Sequence, residues 1–187
     1  MSRFAIPSRV SRKSVVALAS VALVMAASAA QAAPSKGLKT FGTGDVTATS
    51  DSASIVNDPG EYGGVYLSSK SQSGKSLSDV VFEFRNANGD VAGGSPRLSI
   101  PIDTDNTGGT ADGYAFLDVA GCGGTSGDNT VVSTQSATCA VNFQGVDYAN
   151  WATFAAANPT YRIAPGSIPF IIADTAGHYA VDHIVLR

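Results

Sequence analysis

The chain has 187 residues and a mass of 19.0 kDa, with 14% charged residues, 20 glycines and a mean hydropathy of +0.10, which suits one domain and excludes disorder driven by charge. Twelve Lys and Arg against fifteen Asp and Glu leave a net charge of −3, but residues 1–32 hold four cations (Arg3, Arg9, Arg12, Lys13) and no acid. The other eight cations face all fifteen acids, a balance of −7 beyond residue 32, and this argues against non-specific binding to nucleic acid or to an anionic membrane.

The first predicted element is a secretory signal peptide over residues 1–32. The basic start runs into an apolar stretch from Ser14 and ends in small residues, with Ala30 and Ala32 matching the Ala-x-Ala pattern of a signal peptidase site. The apolar stretch is short and rich in Ala, which does not suit a membrane anchor. No Cys follows it and no adjacent pair of arginines precedes it, so lipid attachment is excluded and the general secretory route is favoured. The expected product is a secreted, extracellular chain of residues 33–187 with no membrane span after signal removal. Residues 33 to about 39 are expected to be loose.

Beyond that point the sequence alternates short β-type runs with turn residues. Residues 46–50 alternate, and 64–69 follow a turn at Asp58-Pro59-Gly60. In 77–84, Val80, Phe82 and Phe84 define an inward face, with Asp79 and Glu83 toward water. In 96–102, Leu98, Ile100 and Ile102 share one face and leave Arg97 and Ser99 on the other. Residues 113–119, 129–134, 139–143, 168–173 and 181–186 continue the series. The exception is 147–159, where Tyr148, Trp151, Phe154 and Ala155 share one helical face ahead of Asn158-Pro159, predicting a helix of about ten residues plugging one end of a sandwich. Eight or nine short strands with few helices predict an all-β fold, an antiparallel β-sandwich of jelly-roll-like form with one short α-helix, occupying 33–187 as a single domain.

Cys122 and Cys139 are the only cysteines, and outside the cytoplasm a lone pair is expected to form a disulfide. Closing the Gly-, Ser-, Thr- and Asp-rich loop 123–138 would contribute roughly 3 kcal/mol. A redox or metal role would need a CxxC spacing or nearby His, and neither is present.

Among motifs with chemistry, the run Asp103-Thr-Asp105-Asn-Thr107-Gly-Gly-Thr-Ala-Asp112 offers oxygen ligands at i and i+2 with glycines to curl the backbone, the donor set of Ca²⁺. It departs from the EF-hand at Thr107 and lacks the closing Glu; the alternative is an acidic turn between strands. Asp118 is a further carboxylate beyond the next strand. Ser69 to Ser76 imitates the tail of a phosphate-binding loop but lacks its first glycine and a following helix. No Gly-x-Ser-x-Gly frame exists. His178 and His183 are expected on opposite faces of one strand, His183 beside Val181 and Val185, as structural residues. The two glutamates, Glu61 and Glu83, have no aspartate placed opposite for glycoside hydrolysis. Sugar binding asks only for stacking aromatics and a few polar groups; Tyr62, Tyr66, Tyr114, Tyr148, Tyr161 and Trp151 are available with Arg97 and Arg162, although Trp151 is expected in the core.

The segments Gly93-Gly-Ser-Pro-Arg-Leu-Ser-Ile-x-Ile-Asp-Thr-Asp, Gly-Tyr-Ala-Phe-Leu and Val-Asp-His-Ile-Val-Leu resemble a pattern in secreted bacterial β-sandwich modules. The closing strand is also similar to that of galactose-binding-like jelly rolls and carbohydrate-binding modules. The resemblance spans 64–118 and 178–187 and implies a jelly-roll fold with a structural Ca²⁺ near Asp103 and Asp105; it carries over no catalytic residue. The expected function is that of a secreted, non-enzymatic module binding a glycan or another cell-surface ligand. Arg97 and Tyr114 are the expected ligand contacts, and Asp103, Asp105 and Asp112 the expected metal ligands. The alternatives are a structural or protein-interaction role outside the cell, or a hydrolase whose site the sequence hides.

Overall fold

The computed structural model describes residues 38–67 and 71–187; the expected signal peptide lies outside the described residues. Thirteen strands are formed among the described residues. In chain order they are β1 (Lys39–Gly42), β2 (Asp45–Ala48), β3 (Ala53–Asn57), β4 (Gly63–Tyr66), β5 (Phe82–Asn86), β6 (Arg97–Asp103) and β7 (Gly113–Asp118). After these come β8 (Val131–Ser133), β9 (Val141–Phe143), β10 (Val146–Tyr148), helix α1 (Trp151–Ala157), β11 (Arg162–Ile163), β12 (Phe170–Ala173) and β13 (Gly177–Leu186).

All pairings are antiparallel, and they build two sheets. The larger has the order β1-β4-β12-β6-β7-β9-β10, with β11 also on β6; the smaller has the order β2-β3-β13-β5-β8. The expected all-β sandwich with one short helix is therefore present, and the chain passes repeatedly between the sheets in the manner of a jelly roll. The alternation of side chains explains the core. Leu98, Ile100 and Ile102 of β6 and Ala115 and Leu117 of β7 point inward from the larger sheet. Phe82 and Phe84 of β5, Val132 of β8 and Val181 of β13 meet them from the smaller one, in one buried cluster.

The helix closes one end. Asn150 caps it, its side-chain oxygen accepting the Thr153 N–H at 2.9 Å, a typical N-cap arrangement. Trp151 and Phe154 are its buried face, and the Trp151 indole N–H donates to the Leu77 carbonyl at 2.7 Å, which satisfies the one polar atom the ring carries inward. The helix has seven residues rather than about ten, because Tyr148 is taken into β10 and packs edge-on against Phe154 from there.

Four departures from the expected strand series have local causes. Leu77–Asp79 is a 3-10 turn, not the start of a strand; Leu77 is still buried, but through the turn. Lys39 opens β1 instead of ending a loose stretch. The strands β1, β3, β10 and β11 were hidden by length or by small polar residues, as in Ala53-Ser-Ile-Val-Asn57. In β13 an extra residue intrudes: Asp182 pairs with Arg85 and Val185 with Glu83, so three steps on one strand match two on the other. His183 sits in that bulge at φ +50°. Val181 and Val185 therefore do not share a face, and His183 stands exposed beside Asp182.

The Cys122–Cys139 disulfide is formed. Its loop contains β8, within the run 129–134 expected as a strand, and buries more apolar surface than its Gly-, Ser-, Thr- and Asp-rich composition suggests, since Val132 is fully buried against the core. The chain leaves the larger sheet after β7, adds β8 to the edge of the smaller sheet and returns as β9. The disulfide ties the two ends of that crossing. Within it, Asp128 accepts the N–H groups of Thr125 and Thr130 at 2.6 and 3.0 Å, and these bonds draw its carboxyl down to about 2.

Candidate functional site

Alternation that sends Leu98, Ile100 and Ile102 inward sends Arg97, Ser99, Pro101 and Asp103 to the outer face of the larger sheet. The outer positions of its neighbours are in part aromatic. Register aligns them into a row running across the strands: Lys39 (β1), Tyr66 (β4), Phe170 (β12), Ser99 (β6), Phe116 (β7), Asn142 (β9) and Asp147 (β10). A second row holds Phe41, Gly64, Ile172, Arg97 and Asp118, and Tyr114 stands opposite Pro101.

The rings form one contiguous surface. Phe41 and Tyr66 have centroids 4.5 Å apart, Phe41 and Phe170 5.6 Å, Tyr66 and Phe170 6.3 Å, and Tyr114 and Phe170 5.3 Å. All four remain partly exposed. Gly64 permits the close approach: a Cβ there would lie 2.5 Å from Phe41 Cζ and 2.4 Å from the Ile171 carbonyl oxygen, so the missing side chain is what lets Phe41 lie over β4.

Arg97 anchors the other half of the face. Its guanidinium lies 5.3 Å from the Phe116 ring centroid, a cation–π geometry, and its two terminal nitrogens donate to the two Asp174 oxygens, Nη1 to Oδ1 at 2.8 Å. That bond, followed by one from the Ser95 hydroxyl, holds the Asp174 carboxyl below the usual range. Two atoms in this floor are buried and without a hydrogen-bond partner among the described residues, Arg97 Nε and Ser99 Oγ. Unpaired buried donors are uncommon, and where they occur they call for an explanation.

Arg97, Tyr114 and Asp103 thus lie on one face. At its far end the structure also draws together Asp103, Asp105 and Asp112, with a carboxylate oxygen of each within 4.8 Å of the others. The cluster is largely occupied by its own loop. Asp103, only 2% exposed, accepts the N–H groups of Asn106 and Gly108 at 2.7 and 3.0 Å; Asp105 accepts that of Thr107 at 3.0 Å; Asp112 accepts the Thr104 N–H and hydroxyl, both at 2.8 Å. Chemically the three carboxylates can hold a hard cation, and they also suffice as the internal scaffold of an acidic turn. Asp118 is not part of the cluster: it is at the opposite end of β7, across from Arg97, and accepts the Gly121 N–H at 2.6 Å.

The remaining sequence candidates fall elsewhere. Trp151 is buried in the core. Glu61 accepts the Asp58 N–H in its turn, and Glu83 is on β5 in the other sheet. His178 lies 3.1 Å from the Ser54 hydroxyl, while His183 lies 2.9 Å from Asp182, which also binds Arg85 through both of its oxygens. A groove of about 490 Å³ runs beside α1, lined by Ser76, Ser78, Gln135, Ala152, Ala156 and others; it brings together no acid, histidine or cysteine.

Phe41, Phe116 and Phe170 were not singled out by sequence. A signal was available: Tyr114-Ala-Phe116-Leu and Phe170-Ile-Ile172-Ala are apolar at both alternating positions, the mark of a strand covered on both faces.

The chain matches no family model, and it matches none of the curated proteins at a significant level.

Proposed function

We propose that this chain is an exported, non-enzymatic binding module whose ligand is a carbohydrate held on the outer face of the larger sheet. One observation carries the reading: Phe41, Tyr66, Tyr114 and Phe170 form a partly exposed ring cluster beside Arg97 and Phe116, on a face that needs no apolar side chains to complete the core. Aromatic faces take the C–H face of a pyranose, and neighbouring Arg, Asp and Asn side chains bond its hydroxyls. The signal-like residues 1–32 and the disulfide support an oxidising, extracellular setting.

The test is binding of residues 33–187 to a panel of soluble glycans and insoluble polysaccharides, with and without chelator. Saturable binding that Tyr66→Ala or Tyr114→Ala weakens about threefold to tenfold is the expected result. Loss of binding on chelation would give the Asp103, Asp105 and Asp112 loop a Ca²⁺ to hold. No binding to any glycan in either condition overturns the reading and leaves the same face to a protein partner.

A further inference from the structure

Resting on that reading, we infer that recognition covers only one or two pyranose units of a soluble glycan, and that the flat surface of an insoluble polysaccharide is not a ligand. Three observations combine. The first is extent. Phe170 touches the other three rings, at 5.6 Å from Phe41, 6.3 Å from Tyr66 and 5.3 Å from Tyr114. No two of the four centroids therefore lie more than about 12 Å apart, and at about 4.5–7 Å for each ring-on-ring contact that span offers stacking to about two sugar rings.

The second is orientation. The ring planes are tilted by 38° between Phe41 and Tyr66, 58° between Tyr114 and Phe170, 76° between Tyr66 and Phe170, and 89° between Phe41 and Phe170. A crystalline polysaccharide presents its sugar rings in one plane, and a protein surface that binds it by stacking needs its aromatic rings in one plane as well. Rings set at these angles turn their faces in several directions, which suits a small ligand lodged among them.

The third is the border of the patch. The strand that carries Phe41, β1, is at the edge of its sheet. Toward the opposite edge the row passes to Phe116, which faces the Arg97 guanidinium, and then to Asn142 and Asp147, which bond to each other at 2.6 Å. Along the strands, Arg97 paired with Asp174 closes one end, and Arg162 opposite Asp103 closes the other. Sugar units laid past the rings would therefore meet charged and already bonded groups and gain no further stacking. Inside these borders the phenol oxygens of Tyr66 and Tyr114 have no hydrogen-bond partner among the described residues, which leaves two polar groups for the hydroxyls of the unit stacked there.

The experiment uses residues 33–187 with cello-, chito-, xylo- and manno-oligosaccharides of one to six units and the mono- and disaccharides of the wider panel, read by calorimetry. Microcrystalline cellulose and chitin are added by pull-down. Binding is expected to be established by the dimer and to gain no more than about fivefold from dimer to hexamer, the statistical factor supplied by the roughly five placements of a two-unit site on a six-unit chain. Both crystalline polymers should leave the protein in solution. A steeper climb, binding confined to glycans longer than two units, or retention on either crystalline polymer overturns this inference and leaves the carbohydrate reading standing. Failure of every glycan in the wider panel overturns both.

Discussion

The two outer faces of the sandwich are built on the same backbone plan and differ in that only one of them carries aromatic rings. The smaller sheet shows Thr47, Ser54, Glu83, Arg85, Ala180 and Asp182 to its outside, with Val56, Val131 and Val185 among them and no aromatic ring, a mostly polar surface as expected of antiparallel strands with one solvated side. The larger sheet shows Phe41, Tyr66, Phe170, Tyr114 and Phe116. Each face has one two-pronged Arg–carboxylate pair, Arg85–Asp182 and Arg97–Asp174. On the smaller sheet the pair is joined by the exposed His183; on the larger it lies against an aromatic ring. A sheet needs only one apolar side to fold. Apolar side chains on the other side are therefore a claim about what meets that face, and the smaller sheet serves as the internal control.

The contrast can be broken or sharpened in four ways. The largest effect should fall on both faces equally: replacing Cys122 and Cys139 with Ser unties the crossing between the sheets and lowers stability by about 3 kcal/mol, measured by urea unfolding, with ring-face and control variants shifted alike. Next, Phe170→Ala removes the ring that touches Phe41, Tyr66 and Tyr114 and should cost about 2 kcal/mol together with glycan binding, whereas Val56→Ala on the smaller sheet, 45% exposed, should stay within about 0.5 kcal/mol. Equal losses would erase the distinction between the faces. Third, Arg97→Ala loses its stack on Phe116 and leaves Asp174 held by the Ser95 hydroxyl without its cation, about 1 kcal/mol; Arg85→Ala, whose guanidinium is more exposed than that of Arg97, should lower the melting temperature less.

The smallest effect is in acid. Arg85, followed by His183, holds the Asp182 carboxyl at about 2, below the usual carboxylate value of 3.8. A lowered folded-state value means that the unfolded chain takes up the proton first. The contribution is therefore complete above about pH 4 and disappears as pH falls toward about 2. Melting curves between pH 5 and pH 2 should show a shallower acid slope in Asp182→Asn than in the parent, and an unchanged slope in Ser54→Ala.

Much of this architecture was legible in the chain. Val80, Phe82 and Phe84, and Leu98, Ile100 and Ile102, announce their inward faces by period-two alternation, and all six are buried. Trp151 and Phe154 announce a helical face in the same way. Illegible were the short strands, since two to five residues give too few repeats of a pattern to read, and the bulge at His183, since one inserted residue shows itself only against a partner strand. The candidate face was half legible. Arg97 and Tyr114 could be named from sequence, but Phe41 and Phe170 are 129 positions apart and meet only because β1 and β12 both pair with β4.

By itself the sequence determined the periodicities, and with them the sheet class, the single helix and the identity of the cysteine pair, because each depends on neighbours along the chain. Only the tertiary structure decided which strands lie side by side, and therefore that five aromatic residues from β1, β4, β7 and β12 share one outer surface. Local pattern sets which way a side chain points; strand order, set by packing across the whole core, sets what it points beside.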